Sequence, residues 1–89
     1  MKSLTHYIQE KLVIKKSNQY KLSYLFSYIN FNGDISKWDV SKVTNMHGMF
    51  CGCNKFNKDI SNWDVSNVNN ANNMFVGCLI EGKYKPKFI

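Results

Sequence analysis

Apolar and polar residues alternate along the middle of the chain in a pattern that then repeats. Trp38 and Val40, and again Trp63 and Val65, stand two apart, so in an extended backbone each pair shares a face while Asp39, Ser41, Asp64 and Ser66 point the other way. The β-branched Val40 and Val43 suit a strand. Met46, Met49 and Phe50 follow at the spacing of one helix face, with Ala71, Met74 and Phe75 in the second copy. Thr44-Asn45 and Asn69-Asn70 are placed to cap these helices. Gly52 and Gly77 are placed to end them in a left-handed conformation, and Cys53 and Cys78 turn back inward as small apolar plugs. The pattern predicts a unit made of a short strand, a turn, a short helix and a glycine-ended return.

The unit is duplicated. Residues 31–55 align with residues 56–80 at an offset of 25, with 15 of the 25 positions identical, including whole WDVS and MF blocks. A fixed period in the twenties predicts stacked units that bury their apolar faces only against one another. Residues 17–30 align as a worn copy at an offset of 24, with Ser17 on Ser41 and Leu22, Leu25 and Phe26 on Met46, Met49 and Phe50. Residues 3–12 carry apolar positions at helical spacing behind Ser3, and Val13-Ile14 is a brief β-like run. The expected fold class is therefore α/β, a short leucine-rich-repeat-like solenoid with an N-terminal capping helix, in a single domain over residues 1–89. Its parts are a cap helix and short strand (1–16), a degenerate repeat (17–30), repeat one (31–55), repeat two (56–80) and a C-terminal cap or tail (81–89).

The repeat F-N-x-D-I-S-x-W-D-V-S-x-V-x-N-x-x-x-M-F-x-x-C, over residues 31–53 and 56–78, resembles the 25-residue repeat of BspA-like leucine-rich-repeat proteins, also frequent in mycoplasma-type lipoproteins. That resemblance implies a leucine-rich-repeat-like solenoid and a binding role, usually on large secreted adhesins. The leader KSLTHYIQEKLVIKK, residues 2–16, is similar to short leaders on small proteins of gut-bacterial phages. It implies a phage or mobile-element setting, in which a small binding protein inhibits a host defence complex in the manner of an anti-CRISPR.

Charge changes the picture less than its total implies. All twelve basic residues are Lys, and the net charge of +6 comes from the flanks: residues 1–30 hold five Lys against one Glu, and residues 81–89 three Lys against one Glu. Lys11, Lys15, Lys16 and Lys21 at one end, and Lys83, Lys85 and Lys87 at the other, are candidate contacts to phosphates or to an acidic protein. The absence of Arg removes the usual bidentate contacts to bases and phosphates. Three Cys, an odd number, fit reduced thiols. No apolar run in the first twenty residues reads as a signal peptide and no stretch as a membrane span, so the expectation is a cytoplasmic protein of a bacterial host with no membrane partner.

The chemistry-bearing residues point to binding. His47, Cys51, Cys53 and Cys78 are metal-ligand types but lack paired zinc-ligand spacing, and recurrence at period 25 explains Cys53 and Cys78 as a buried ladder. Stacked units bring Asp34 near Asp59 and Asp39 near Asp64, which calls for turn and cap hydrogen bonds, for Lys37 and Lys42, or for a cation ladder to offset the repulsion. Neither a nucleophile with its base nor a cofactor motif is present, so no enzyme, no metal and no cofactor are expected. With the Trp/Val face as core, the exposed sheet face of Asp39, Ser41, Asp64, Ser66 and Asn67 is the expected binding surface. The expected function is a non-catalytic protein-binding module, concretely an inhibitor of a nucleic-acid-loaded host complex. The alternatives are an adhesin-type repeat fragment, or a nucleic-acid binder acting through the Lys-rich caps. Neither the partner's identity nor an oligomeric state follows from these residues.

Overall fold

A computed structural model describes residues 21–88. The expected capping helix and strand of residues 1–16, with Lys11, Lys15 and Lys16, lie outside the described residues, as do residues 17–20 of the worn copy.

The expected α/β solenoid is not the observed fold. Among the described residues there is no α-helix; the one helix is a short 3-10 turn, Gly82–Tyr84. Nor is there a sheet: strand-type pairing is limited to two isolated parallel bridges, Lys21 with Asn45 and Asn45 with Asn70. The chain is built of turns, and the polar residues explain why. The stretch read as a strand is claimed by local bonds. Asp39 Oδ1 accepts the Ser41 N–H at 3.0 Å, and the Val43 N–H donates to the Val40 carbonyl at 3.0 Å. The same bonds recur at Asp64-Ser66 (3.1 Å) and Val65-Val68 (3.0 Å). Asp34-Ser36 and Asp59-Ser61 close matching turns one step earlier, beside bonds from Trp38 to Ile35 and from Trp63 to Ile60. Aspartate two residues before a backbone donor offers the chain an alternative to a strand ladder, and here that alternative wins.

The stretch read as a helix fails for a different reason. Residues 22–29, 46–53 and 71–78 form three equivalent turn segments whose backbone changes hand every few residues. Tyr24, Gly48 and Asn73 occupy one left-handed position, and Tyr28, Gly52 and Gly77 another, all with φ between 58° and 73°. Within each segment N–H groups reach back three residues, as from Met49 to Met46, Cys51 to Gly48 and Cys53 to Phe50. The intervening N–H groups leave the segment altogether. Those of Leu22, Tyr24, Phe26 and Tyr28 donate to the carbonyls of Asn45, His47, Met49 and Cys51, at 2.8–3.0 Å. Those of Met46, Gly48, Phe50 and Gly52 donate to Asn70, Asn72, Met74 and Val76, at 2.7–2.9 Å. A helix would keep all of these bonds within itself. Here half of them stack one segment on the next.

The core runs along this stack. The rings of Phe26, Phe50 and Phe75 lie in one column, 5.2 and 5.6 Å apart and within 10° of parallel. Phe31 and Phe56 form a second column at 6.0 Å, interleaved with the first at 4.2 and 4.4 Å. Ile35, Met46, Met49, Cys53 and Ile60 are fully buried around them. Trp63 is buried, and its indole N–H donates to the Ile35 carbonyl at 3.1 Å, whereas Trp38 is half-buried. The tail continues the stack. Asn57 Oδ1 accepts the Glu81 N–H as Asn32 Oδ1 accepts that of Asn57, and the Ile60 N–H donates to the Tyr84 carbonyl. Ile80 thereby takes the buried place of Phe31 and Phe56.

Candidate functional site

Two surfaces carry polar or reactive side chains. The first is the run of Asp-Ser corners expected to line a sheet. With no sheet present, these residues sit in turns. Asp39, Asp64, Ser66 and Asn67 are exposed and Ser41 is half-buried. Their polar atoms are largely consumed within the fold. The hydroxyls of Ser41, Ser61 and Ser66 each donate to the preceding aspartate at 2.6 Å. Asn67 Nδ2 donates to the Ser41 carbonyl at 2.7 Å, tying one copy to the next. These bonds hold the carboxyls of Asp39, Asp59 and Asp64 below their ordinary pKa, the Ser hydroxyl first and the backbone N–H second. For Asp34 the Ser36 backbone N–H is the larger cause. Asp39 works against the lowering at Asp64, and the turn bonds outweigh it.

The metal-ligand types are not assembled. Cys53 is buried, with its thiol directed to the Phe31 carbonyl at 3.4 Å, and Cys78 is directed to the Phe56 carbonyl at 3.5 Å. Burial pushes both thiols up in pKa. Among the described residues no group of three or more His, Cys, Asp or Glu is placed to hold a metal ion, and no helix is long and apolar enough to cross a membrane. Of the candidate basic contacts, Lys21, Lys83 and Lys87 are exposed and Lys85 is half-buried. Lys83 Nζ lies over the Tyr84 ring and Lys85 Nζ over the Phe75 ring, each 5.2 Å from the centroid.

The second surface was not read from the sequence. Tyr24 and Tyr28 project from the first turn segment with 55% and 78% of their surface exposed. Their rings lie across the glycines of the next segment: a Cβ on Gly48 would stand 2.6 Å from Tyr24 Cε1, and one on Gly52 closer still to the Tyr28 ring. His47 packs against Tyr24 at 5.2 Å, and the Cys51 thiol contacts the Tyr28 hydroxyl at 3.8 Å, which raises the phenol's pKa. Val76, equivalent to Cys51, extends the face as an exposed apolar side chain. The signal was available. Carrying the offset of 24 two residues past Phe26 sets Tyr28 on Gly52, a large ring where both other copies hold glycine.

A family model described as "Mycoplasma protein of unknown function, DUF285" matches residues 6–80. The chain belongs to the DUF285 family. No curated protein and no solved structure matches it. The DUF285 match takes in both clear copies and the worn one, together with the tyrosine face and every Asp-Ser corner, and ends where the tail begins its own turn at Glu81.

Proposed function

We propose that this DUF285 chain is a non-catalytic protein-binding module of the BspA-like repeat kind, and that Tyr24 and Tyr28 anchor its partner. One observation carries the reading. Two bulky residues sit at positive φ, where an L side chain is strained, and both rings face water. The equivalent positions in the other segments hold Gly48, Asn73, Gly52 and Gly77, residues that tolerate this conformation. Strain retained at an exposed site argues for use at that site. Large aromatic side chains are also the commonest anchors of protein interfaces. His47, Cys51 and Val76 widen the patch around them. The partner class is a protein, and the concrete case we propose is a nucleic-acid-loaded host defence complex blocked by a phage or mobile-element inhibitor.

The test is affinity capture from bacterial lysate with nuclease present, comparing the wild-type chain with Tyr24→Gly/Tyr28→Gly, which keeps the backbone conformation. A partner protein that survives nuclease and is lost with the variant supports the reading. Capture of nucleic acid alone, or a partner retained by the variant, overturns it.

A further inference from the structure

Of the twelve asparagines in the chain only Asn32 precedes a glycine; its equivalent in the next copy, Asn57, precedes Lys58. A carboxamide can be attacked by the backbone nitrogen of the following residue, and glycine, with no Cβ, allows the closest approach. The structure assembles the groups that this reaction needs. Asn32 is exposed and Gly33 half-buried. Asn32 Oδ1 accepts the Asn57 N–H at 3.0 Å. A donor in that place polarises the carboxamide and meets the negative charge that grows on its oxygen during attack. Among the described residues no acceptor meets the Gly33 N–H, the incoming nitrogen, and none meets Asn32 Nδ2, the departing one. At Asn57 the same donor bond recurs but the rest differs. Its Oδ1 accepts the Glu81 N–H at 2.9 Å, yet its Nδ2 is held by Glu81 Oε2 at 3.3 Å, and Lys58 puts a Cβ beside the incoming nitrogen.

We infer that Asn32-Gly33 is a self-acting modification site, at which the chain converts Asn32 to an isoaspartyl linkage and so loosens the joint between the two clear copies. The amide nitrogen is a poor nucleophile while its lone pair is shared with the carbonyl, so the Gly33 proton goes first, to hydroxide. The freed nitrogen bonds to Asn32 Cγ, the Cγ–Nδ2 bond breaks, and Nδ2 takes a proton back from water and leaves as ammonia. Water then opens the cyclic imide, with no change of oxidation state. Addition at Cγ leaves an ordinary aspartyl residue. Addition at the main-chain carbonyl leaves a backbone that runs through Cγ and is one methylene longer. The two products act differently on the fold. The aspartyl form keeps an acceptor for the Asn57 N–H. In the isoaspartyl form the free carboxylate hangs directly on Cα, one carbon short of the place of Oδ1, and the Asn57 N–H loses its partner. That bond is one of two by which asparagine side chains tie successive corners, Asn32 to Asn57 and Asn57 to Glu81. The site is separate from the tyrosine face and does not depend on it.

The experiment is incubation of the full chain at mildly alkaline pH, folded and in urea, followed by peptide mapping with a fragmentation that tells aspartyl from isoaspartyl products. Trypsin releases Asn32 within residues 22–37, apart from Asn57. In the folded chain Asn32 should convert no more slowly than in urea, because the Asn57 N–H assists, while Asn57 stays intact. Gly33→Ala should slow the conversion several-fold. Amide exchange followed by NMR reads the consequence. The Asn57 N–H should be protected in the fresh chain and in Asn32→Asp, and should exchange quickly in the isoaspartyl product. Protection at Met46 and Phe50 reports that the fresh chain and Asn32→Asp are folded. Three results would overturn the inference: an Asn32 that stays intact in the folded chain while it converts in urea, a Gly33→Ala rate equal to that of the wild type, or an Asn57 amide still protected in the isoaspartyl product.

Discussion

Tyr24 and Gly48 are a matched pair. The ring can lie where it does because the residue beneath it has no side chain, and Gly48 is also left-handed, with φ of 62°. Gly48→Ala therefore meets two obstacles, a conformational cost of about 1–2 kcal/mol and a collision with the ring. On a Tyr24→Gly background only the first remains. A double-mutant cycle by urea denaturation should give a coupling of about 1 kcal/mol between the two sites; additive effects would mean that the ring moves aside freely. At this scale much was legible. Met46, Met49, Phe50 and Cys53 were placed inward by their spacing and are fully buried. Gly52 and Gly77 were read as left-handed and are. Tyr24 and Tyr28 escaped because nothing in a tyrosine announces positive φ, and only the neighbouring copies mark the position.

At the scale of elements the reading went wrong, and the residues that misled it can be named. Trp38 and Val40 do point inward together, as alternation requires, but so do Ile35 and Val43, whose spacing fits a series of turns and not a strand. The aspartates decided the matter, because each supplies the acceptor that a strand ladder would otherwise supply. Met46, Met49 and Phe50 have helical spacing, yet the segment's donors are shared between its own carbonyls and those of the next copy. Such bonds between copies are invisible to any local pattern. The copies also differ in length at one corner. Phe26 to Phe31 and Phe75 to Ile80 span five steps, whereas Phe50 to Phe56 spans six, with Asn54 and Lys55 exposed at the bend. Deletion of Lys55 should thus leave the urea midpoint nearly unchanged. One residue inserted between Gly48 and Met49 shifts every later donor off its acceptor, and it should abolish cooperative unfolding.

For the whole molecule, the Asp-Ser corners expected to bind a partner serve as closures of the turns. Their pH dependence follows in sign. The carboxyls of Asp34, Asp39, Asp59 and Asp64 lie below the ordinary value of 3.8 in the folded chain, so near that pH the unfolded chain binds more protons. Their stabilising contribution is complete above 3.8 and is lost as pH falls through the folded values. The urea midpoint should be level from neutrality down to mildly acidic pH and then drop. Replacing Asp39 and Asp64 with Asn, which keeps the acceptor oxygen but not the charge, should flatten that drop.

The bonds from Leu22, Tyr24, Phe26 and Tyr28, and from Met46, Gly48, Phe50 and Gly52, point one way, from N–H to the next copy's carbonyl, while Asn69 and Asn70 return N–H groups to the Thr44 carbonyl. Each peptide unit is a dipole of about 3.5 D, and in this stack the participating units add instead of cancelling. The described stack therefore carries a backbone dipole along these bonds, with its positive end at the third segment, where Lys85 lies over the Phe75 ring. Every further repeat spliced into the chain with the same bonds would lengthen that dipole by one more row of aligned peptide units.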